Sequence, residues 1–292
     1  MVDLAALRKA AKVHERALKA GIDAIAEGKT DLEVVEIVER IVFSEKPAFP
    51  TNICCEHVAA HYTPDAGVRK ELSGLVKLDV GVHVNGWITD AAVTIDVDGR
   101  WKQILEASRE ALRRAIDTIR PGVRLSDVGR VIWETAKEYG VKPIRNLGGH
   151  QIGRYALHAG LFVPNVPEGS GQIKEGMLLA IEPFMTNGDG YVREGNTVHI
   201  FSLSEERART PFAKQIIEYI RENFGRLPFA LRWIENEFGQ QVRLAIYELV
   251  RMGSLRQYPV LLERKGCQVA QFETTVYVDK DGAQPLVDVF NI

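Results

Sequence analysis

The twenty residues from Val76 to Ile95, VKLDVGVHVNGWITDAAVTI, admit few structures. Val76, Leu78, Val80, Val82 and Val84 alternate with Lys77, Asp79, Gly81 and His83, which is the period of two of a half-buried strand. Asn85-Gly86 in the middle is the strongest short signal for a hairpin turn. A two-residue turn there predicts Val84 opposite Trp87, Gly81 opposite Asp90 and Asp79 opposite Ala92. Asp79 and Asp90 then become diagonal neighbours on one face, with β-carbons about 7–8 Å apart, and the small Gly81 and Ala92 leave room beside them. Carboxylates so placed repel each other unless a cation lies between them. The alternative is a wet face with two surface aspartates.

Other acids in apolar surroundings favour the cation. Glu273 sits inside Gln268–Val278, QVAQFETTVYV, and Glu182 ends the run Met177–Ile181, MLLAI, just before Pro183. Burying an acid in a strand is costly unless it is paired or bound to metal. His150 follows Gly148-Gly149, where small residues are expected to let a ligand or metal approach the backbone. Four carboxylates and one imidazole, with no cysteine, suit two divalent ions bridged by oxygen ligands better than a closed structural zinc site.

The rest of the chain predicts a mixed, α+β architecture. Leu4, Leu7, Ala11, Leu18, Ile22 and Ile25 recur at helical spacing over 4–27, and Thr30-Asp31 opens a second helix through Val42. Lys46–Asn52, with Pro47 and Pro50, is expected to break regular structure, and His57–Pro64 to form a polar loop. Helices are expected over about 101–119 and 125–139, and strands at 177–182, 196–203 and 268–279. Between 204 and 262 the spacing predicts an all-helical insertion with helices near 211–224, 229–238 and 241–252, the first opened by Thr210-Pro211. The expected domains are therefore 1–203 with 263–292, and the insertion 204–262. No regular βαβ alternation is present.

Three helices in a row could suggest a DNA reader. Residues 205–258, however, hold nine Arg or Lys against seven Glu, a net of +2, too weak for a phosphate-reading surface. The whole chain, at net charge -2, sets up no field for DNA or for an anionic membrane. The N-terminus is interrupted by Arg8, Lys9, Lys12 and Glu15 and lacks the apolar core of a signal peptide. No stretch approaches a membrane span. Cys54, Cys55 and Cys267 are odd in number and form no CxxC spacing, so a reducing cytoplasm is the expected setting.

Four motifs in order, VKLDVGVHVNGWITD, NLGGHQIGRYALHAG, IEPFMTNGDG and AQFETTVYV, resemble those of the pita-bread (creatinase/aminopeptidase) metallopeptidases, and among them the type II methionine aminopeptidases, over essentially the whole chain. The resemblance implies a curved antiparallel sheet flanked by helices, with a type II insertion. It implies that Asp79 serves one metal in a bidentate role, that His150 and Glu182 serve the other, and that Asp90 and Glu273 bridge both. The implied cofactor is two divalent ions per chain, Co, Mn, Fe or Zn, with a water or hydroxide between them as nucleophile.

The resemblance also implies catalytic and substrate contacts. Glu182 would shuttle the proton, and His61, in AAHYTP, and His158, in YALHAG, would touch substrate near the scissile bond. Phe49, Leu157, Phe184, His199 and Tyr258 match positions lining the methionine pocket, and the insertion would deliver Tyr258. His14, His57 and His83 have no such role. The implied reaction is removal of the initiator methionine from new chains whose second residue is small, by a monomer in the cytoplasm, transiently near the ribosome. The alternatives are a prolidase or aminopeptidase P, which usually carry a separate domain before the first aspartate, and a non-catalytic pita-bread binding protein, which has lost metal ligands.

Two departures stand out. Ser73-Gly74-Leu75 replaces a Lys-x-Gly-Asp stretch, and Thr274 stands where a histidine usually follows the glutamate. With 78 residues before Asp79, the chain is similar to the short archaeal form.

Overall fold

The computed structural model describes residues 2–292. Two helices, α1 (Leu4–Ala26) and α2 (Asp31–Val42), lead into strands β1 (Lys46–Cys55) and β2 (Val58–Ala60) and the hairpin β3 (Leu75–Val84) and β4 (Trp87–Asp96). Helices α3 (Lys102–Thr118) and α4 (Leu125–Glu138) follow, then β5 (Lys142–Pro143), β6 (Gly148–Ile152), β7 (Phe162–Pro164), β8 (Leu178–Ile181), β9 (Phe184–Thr186) and β10 (Arg193–Leu203). The chain continues through α5 (Pro211–Asn223), β11 (Phe229–Ala230), α6 (Leu231–Phe238), α7 (Val242–Arg251) and β12 (Leu255–Leu262), and ends with β13 (Val269–Gln271), β14 (Glu273–Val278) and β15 (Ala283–Pro285). The α+β expectation holds.

The main sheet runs β1-β3-β4-β14-β8-β6-β7, with β15 beside β14; β11-β10-β12-β2 and β13-β9-β5 form two smaller sheets, and the recorded pairings are antiparallel. The hairpin has the register its sequence predicts: Val84 opposite Trp87, Gly81 opposite Asp90, Asp79 opposite Ala92. Asn85 (φ 52°) and Gly86 (φ 83°) make its turn, with the positive φ at both positions that a type I′ turn needs. The apolar face of β3, Val76 to Val84, is buried under α1 and α2, where Leu18, Val34, Val35 and Val38 complete one core. That leaves the face with Asp79 and Asp90 for other work.

The first two helix starts are settled locally. The Asp3 carboxylate accepts from the Ala6 N–H at 3.0 Å, and Glu33 accepts from the backbone N–H of Thr30 at 3.0 Å, closing the start of α2. His14 of α1 is a core residue: fully buried, it lies 3.1 Å from Thr89 Oγ1 and 3.4 Å from the Ala91 carbonyl. Burial pulls its pKa down to about 4, partly offset by those hydrogen bonds. A depressed histidine contributes stability that is present above the unfolded value of about 6.5 and is lost as pH falls toward 4. His14→Gln should therefore flatten acid denaturation between about pH 6.5 and 4, a window in which His14 costs about 3 kcal/mol when charged. Urea melts of both proteins at stepped pH would check this, and parallel pH dependences would refute it.

Four segments differ from expectation. Lys46–Cys55 is a ten-residue strand rather than an irregular break. It is tolerated because β1 lies at the sheet edge and its pairing shifts register between Pro47 and Phe49 and again before Asn52, places where a proline's missing N–H costs no ladder bond. Within His57–Pro64, Val58–Ala60 pairs with β12. The run 268–279 is two strands in two sheets, divided at Phe272. The segment 204–262 contains the three expected helices, but Phe229–Ala230 and Leu255–Leu262 are strands bonded to β10. Both strands are part of the small sheet that joins the helices to the rest, and helical periodicity does not report pairing partners far away. The helices have their own core, built on Ile216, Ile220, Phe229, Ile234 and Leu249. No helix among the described residues is long and apolar enough to cross a membrane.

Candidate active site

Five adjacent strands of the main sheet bring the acids together. Asp79 of β3 pairs with Ala92 of β4, and Ala92 pairs with Glu273 of β14. In the neighbouring row, Ala180 of β8 lies between Thr275 of β14 and His150 of β6. Asp90 joins that row through Thr275, whose hydroxyl accepts from the Asp90 N–H at 2.7 Å and donates to its carbonyl at 2.9 Å. Glu182 follows β8 directly. One ligand atom each from Asp90, His150 and Glu273 can be chosen so that all lie within 4.8 Å of one another. His150 Nε2 is 3.4 Å from Asp90 Oδ2 and 3.7 Å from Glu182 Oε1.

This cluster is buried and short of partners. Asp79 Oδ1, Asp90 Oδ1, Glu273 Oε1 and His150 Nδ1 are buried with no hydrogen bond. Among the described residues, the one donor side chain bonded to these carboxylates is Gln271, whose Nε2 lies 2.8 Å from Glu273 Oε2 and 3.5 Å from Glu182 Oε2. Burial and then the Asp90 charge push Asp79 well above the usual carboxylate range. Burial pushes Asp90 up to about 7. Glu182 and Glu273 rise for the same reasons, burial first and the neighbouring carboxylates next. Burial lowers His150 to about 4, so its ring is neutral near pH 7 and free to act as a ligand. Buried acids that neither ionise comfortably nor find donors, beside a neutral imidazole, fit divalent cations, which supply the missing charge.

The cluster opens into a cavity of about 240 Å³. His61, Phe49, Leu157, His158, Phe184 and Tyr258 line it, as expected from the sequence. His199 does not line it. Strand β10 alternates, so Ile200 faces the cavity while the His199 ring turns to the other side, where Nδ1 meets the Thr63 carbonyl at 2.8 Å. Two small-residue expectations also change. The space over Gly81 is filled by the Phe49 ring, which a β-carbon there would meet at 2.2 Å. Gly149 lets β6 approach β8 rather than admitting a ligand, since its β-carbon would stand 2.1 Å from the Ala180 oxygen. Thr274 faces away from the acids and donates to the Val287 carbonyl at 2.8 Å, so the departure at that position ties down the C-terminal segment.

The two cavity histidines are held differently. His61 adopts φ 64°, uncommon for a residue with a side chain, and its Nδ1 lies 3.2 Å from the Pro259 carbonyl. In the neutral ring Nδ1 donates there, which leaves Nε2 as an acceptor. Burial lowers its pKa to about 4. His158 packs against His150, with centroids 4.2 Å apart and ring planes tilted by 44°, and burial, then the neighbouring His150, lowers it to about 4 as well. The loop carrying it is docked on the hairpin turn: Tyr155, at φ 54°, donates to the Gly86 carbonyl at 2.8 Å, and Arg154 Nε donates to the Asn85 carbonyl at 2.9 Å.

Asn52 and Gln271 are further cavity residues that the sequence did not single out. Asn52 pairs across from Asp79 and its buried Oδ1 has no partner. Gln271 stands two residues before Glu273 on β13, a position that strand alternation could have flagged.

Comparison with known proteins adds three findings. Residues 5–202 match the model of a family described as metallopeptidase family M24. The chain is 42% identical over 287 residues to a methionine aminopeptidase of Thermococcus onnurineus, covering 95% of this chain and 97% of the relative. Among solved structures, a thermophilic Arx1 superposes with TM-score 0.85 at 18% identity over 98% and 92% of the two chains, a likeness of fold alone. The methionine aminopeptidase of Thermotoga maritima gives TM-score 0.70 at 26% identity over 98% and 97%.

Proposed function

The chain belongs to metallopeptidase family M24 and has its pita-bread fold, and from that membership we propose that it works as a methionine aminopeptidase, removing the N-terminal methionine from peptides and new proteins with a small second residue. The observation that supports this best is the buried, partner-poor acid cluster opening into a cavity walled by Phe49, Leu157, Phe184 and Tyr258. Aromatic and leucine side chains are adaptable partners for a thioether.

In this reading two divalent ions would be held by Asp79, Asp90, His150, Glu182 and Glu273. When bound they supply Lewis-acid chemistry, holding the free amine, polarising the scissile carbonyl and lowering the pKa of water from about 15.7 toward neutrality. Glu182, ionised once cations offset the burial and the neighbouring carboxylates that otherwise raise it, would take the proton from the attacking water and pass it to the amine nitrogen as the C–N bond breaks. His158, neutral at pH 7, donates an N–H to the oxygen that becomes negative. His61 presents Nε2 as an acceptor to the substrate N–H groups near the scissile bond.

We also take 204–262 as a subdomain, supported by a second core that its helices form together with Phe201 and Leu203 of β10, attached to the catalytic body 1–203 and 263–292 and delivering Tyr258. We propose a cytoplasmic monomer, and the nascent-chain substrate supports transient proximity to the ribosome.

The test is cleavage of Met-Ala-Ser against Xaa-Pro peptides by chelator-stripped protein reloaded in turn with Mn, Fe, Co or Zn. Release of methionine with no Xaa-Pro cleavage supports the assignment, and preference for Xaa-Pro overturns it. Leu157→Ala should lower kcat/KM for Met-Ala-Ser about tenfold, mainly through KM, since it removes apolar pocket contact rather than a reacting group. An unchanged KM would remove Leu157 from the pocket.

A further inference from the structure

The five residues from His61 to Asp65 are tied down one by one, and several of the ties come from the segment 204–262. His61 Nδ1 donates to the Pro259 carbonyl. The Tyr62 carbonyl accepts from Ile53 N at 2.9 Å, and its hydroxyl donates to Asp31 Oδ2 at 2.8 Å. Arg232 Nη1 donates to both Thr63 Oγ1, at 2.6 Å, and the Pro64 carbonyl, at 3.2 Å. Arg243 donates to both carboxylate oxygens of Asp65, at 2.8 and 2.9 Å.

Arg232 is unusual among these. It is 5% exposed, and its Nη2 pairs with Glu39, itself 7% exposed. Glu39 also accepts from Trp233 Nε1 at 2.8 Å and from Thr51 N at 3.3 Å. The pair therefore joins α2, β1, α6 and the 63–64 segment at one buried point. An ion pair removed from water is costly unless its geometry is good and its remaining donors are satisfied, and replacing such a pair by apolar residues is often neutral or stabilising. Fold stability alone is thus a weak reason for it. Its reach toward Thr63 and Pro64, two and three residues past a histidine in a left-handed conformation, is a better one.

We infer that Arg232 is a positioning residue for His61: with Glu39 as its fixed counter-charge, it clamps the Thr63 hydroxyl and the Pro64 carbonyl so that the strained His61 keeps its ring at the cavity. The inference rests on the role given to His61 above. The insertion then does more than supply Tyr258, since it holds the catalytic side of the 61–65 segment from a distance. A small displacement of a positioned group can cost about 10²-fold in rate, so a clamp of this kind matters without touching substrate.

Two variants separate this from a merely structural role. Thr63→Val removes one acceptor and leaves the buried pair intact; E39Q/R232M neutralises the pair while leaving a carbonyl for Trp233. Expected results with Met-Ala-Ser are a kcat lowered about fivefold by T63V and about 30-fold by E39Q/R232M, with KM and metal stoichiometry within twofold of the parent. In an H61A background, itself slow, both changes should have little further effect, because the group they position is gone. If H61A is slow but T63V and E39Q/R232M keep the parental kcat, or if their losses multiply with that of H61A, the inference is overturned while the role of His61 stands. If H61A keeps the parental kcat, both fall. Should E39Q/R232M not fold, T63V alone decides.

Discussion

Asp90→Asn is expected to lower kcat/KM by roughly 10³-fold, the scale of losing a preorganised charge in a water-poor site, and to reduce bound metal below the parental stoichiometry. Asp90 is central to the cluster: one oxygen lies 3.4 Å from His150 Nε2, the other is buried without a partner, and its charge raises Asp79, Glu182 and Glu273. Asparagine matches the carboxylate in size but offers one acceptor and a pair of donors facing other acids. The backbone bonds between Asp90 and Thr275 do not involve the side chain, so the hairpin should persist. Metal analysis, circular dichroism and peptide cleavage on one preparation would decide. Full turnover at defined metal content would show that Asp90 carries no metal.

The second large effect concerns stability. Without metal, the fold must keep its buried acids protonated. A carboxyl whose folded pKa lies above its unfolded value stabilises the fold only at low pH, and that contribution is lost as pH rises from about 4 through the folded value. Asp90, near 7, alone accounts for on the order of 4 kcal/mol across that window, and Asp79, Glu182 and Glu273 shift in the same direction. Bound cations remove the penalty. Chelator-stripped protein should therefore lose stability between pH 5 and 8 while loaded protein does not, widening the gap in Tm by roughly 10 °C. Calorimetry at the two pH values, with and without metal, measures it directly, and a gap independent of pH would mean that these acids are not balanced by cations.

Much of the site was legible because it rests on short-range rules. The Asn-Gly turn and the period of two set the hairpin register, and with it the placement of Asp79 and Asp90, from twenty residues of sequence. His61, His158 and most of the pocket followed from motif resemblance. What stayed hidden depends on pairing across the chain. Lys46–Asn52 looked too proline-rich for a strand because nothing local says that it lies at an edge. Leu255–Leu262 joins β10 and β2 across long stretches of sequence, and the division of 268–279 at Phe272 is visible only when two sheets are present. His199 was misplaced for a related reason: the bulges between Glu194 and Ile200 decide which residue of the strand faces inward. Arg232 acts through contacts that no single segment reveals.

Hairpin turns are among the places where chains most readily accept extra residues. The turn at Asn85-Gly86 is closed to that kind of change. Its two carbonyls receive Arg154 and Tyr155, so the same pair of residues that sets the spacing of Asp79 and Asp90 also anchors the loop that carries His158. Lengthening the turn would disturb both at once, and natural variation in this chain's relatives should be sparse there, however exposed the position.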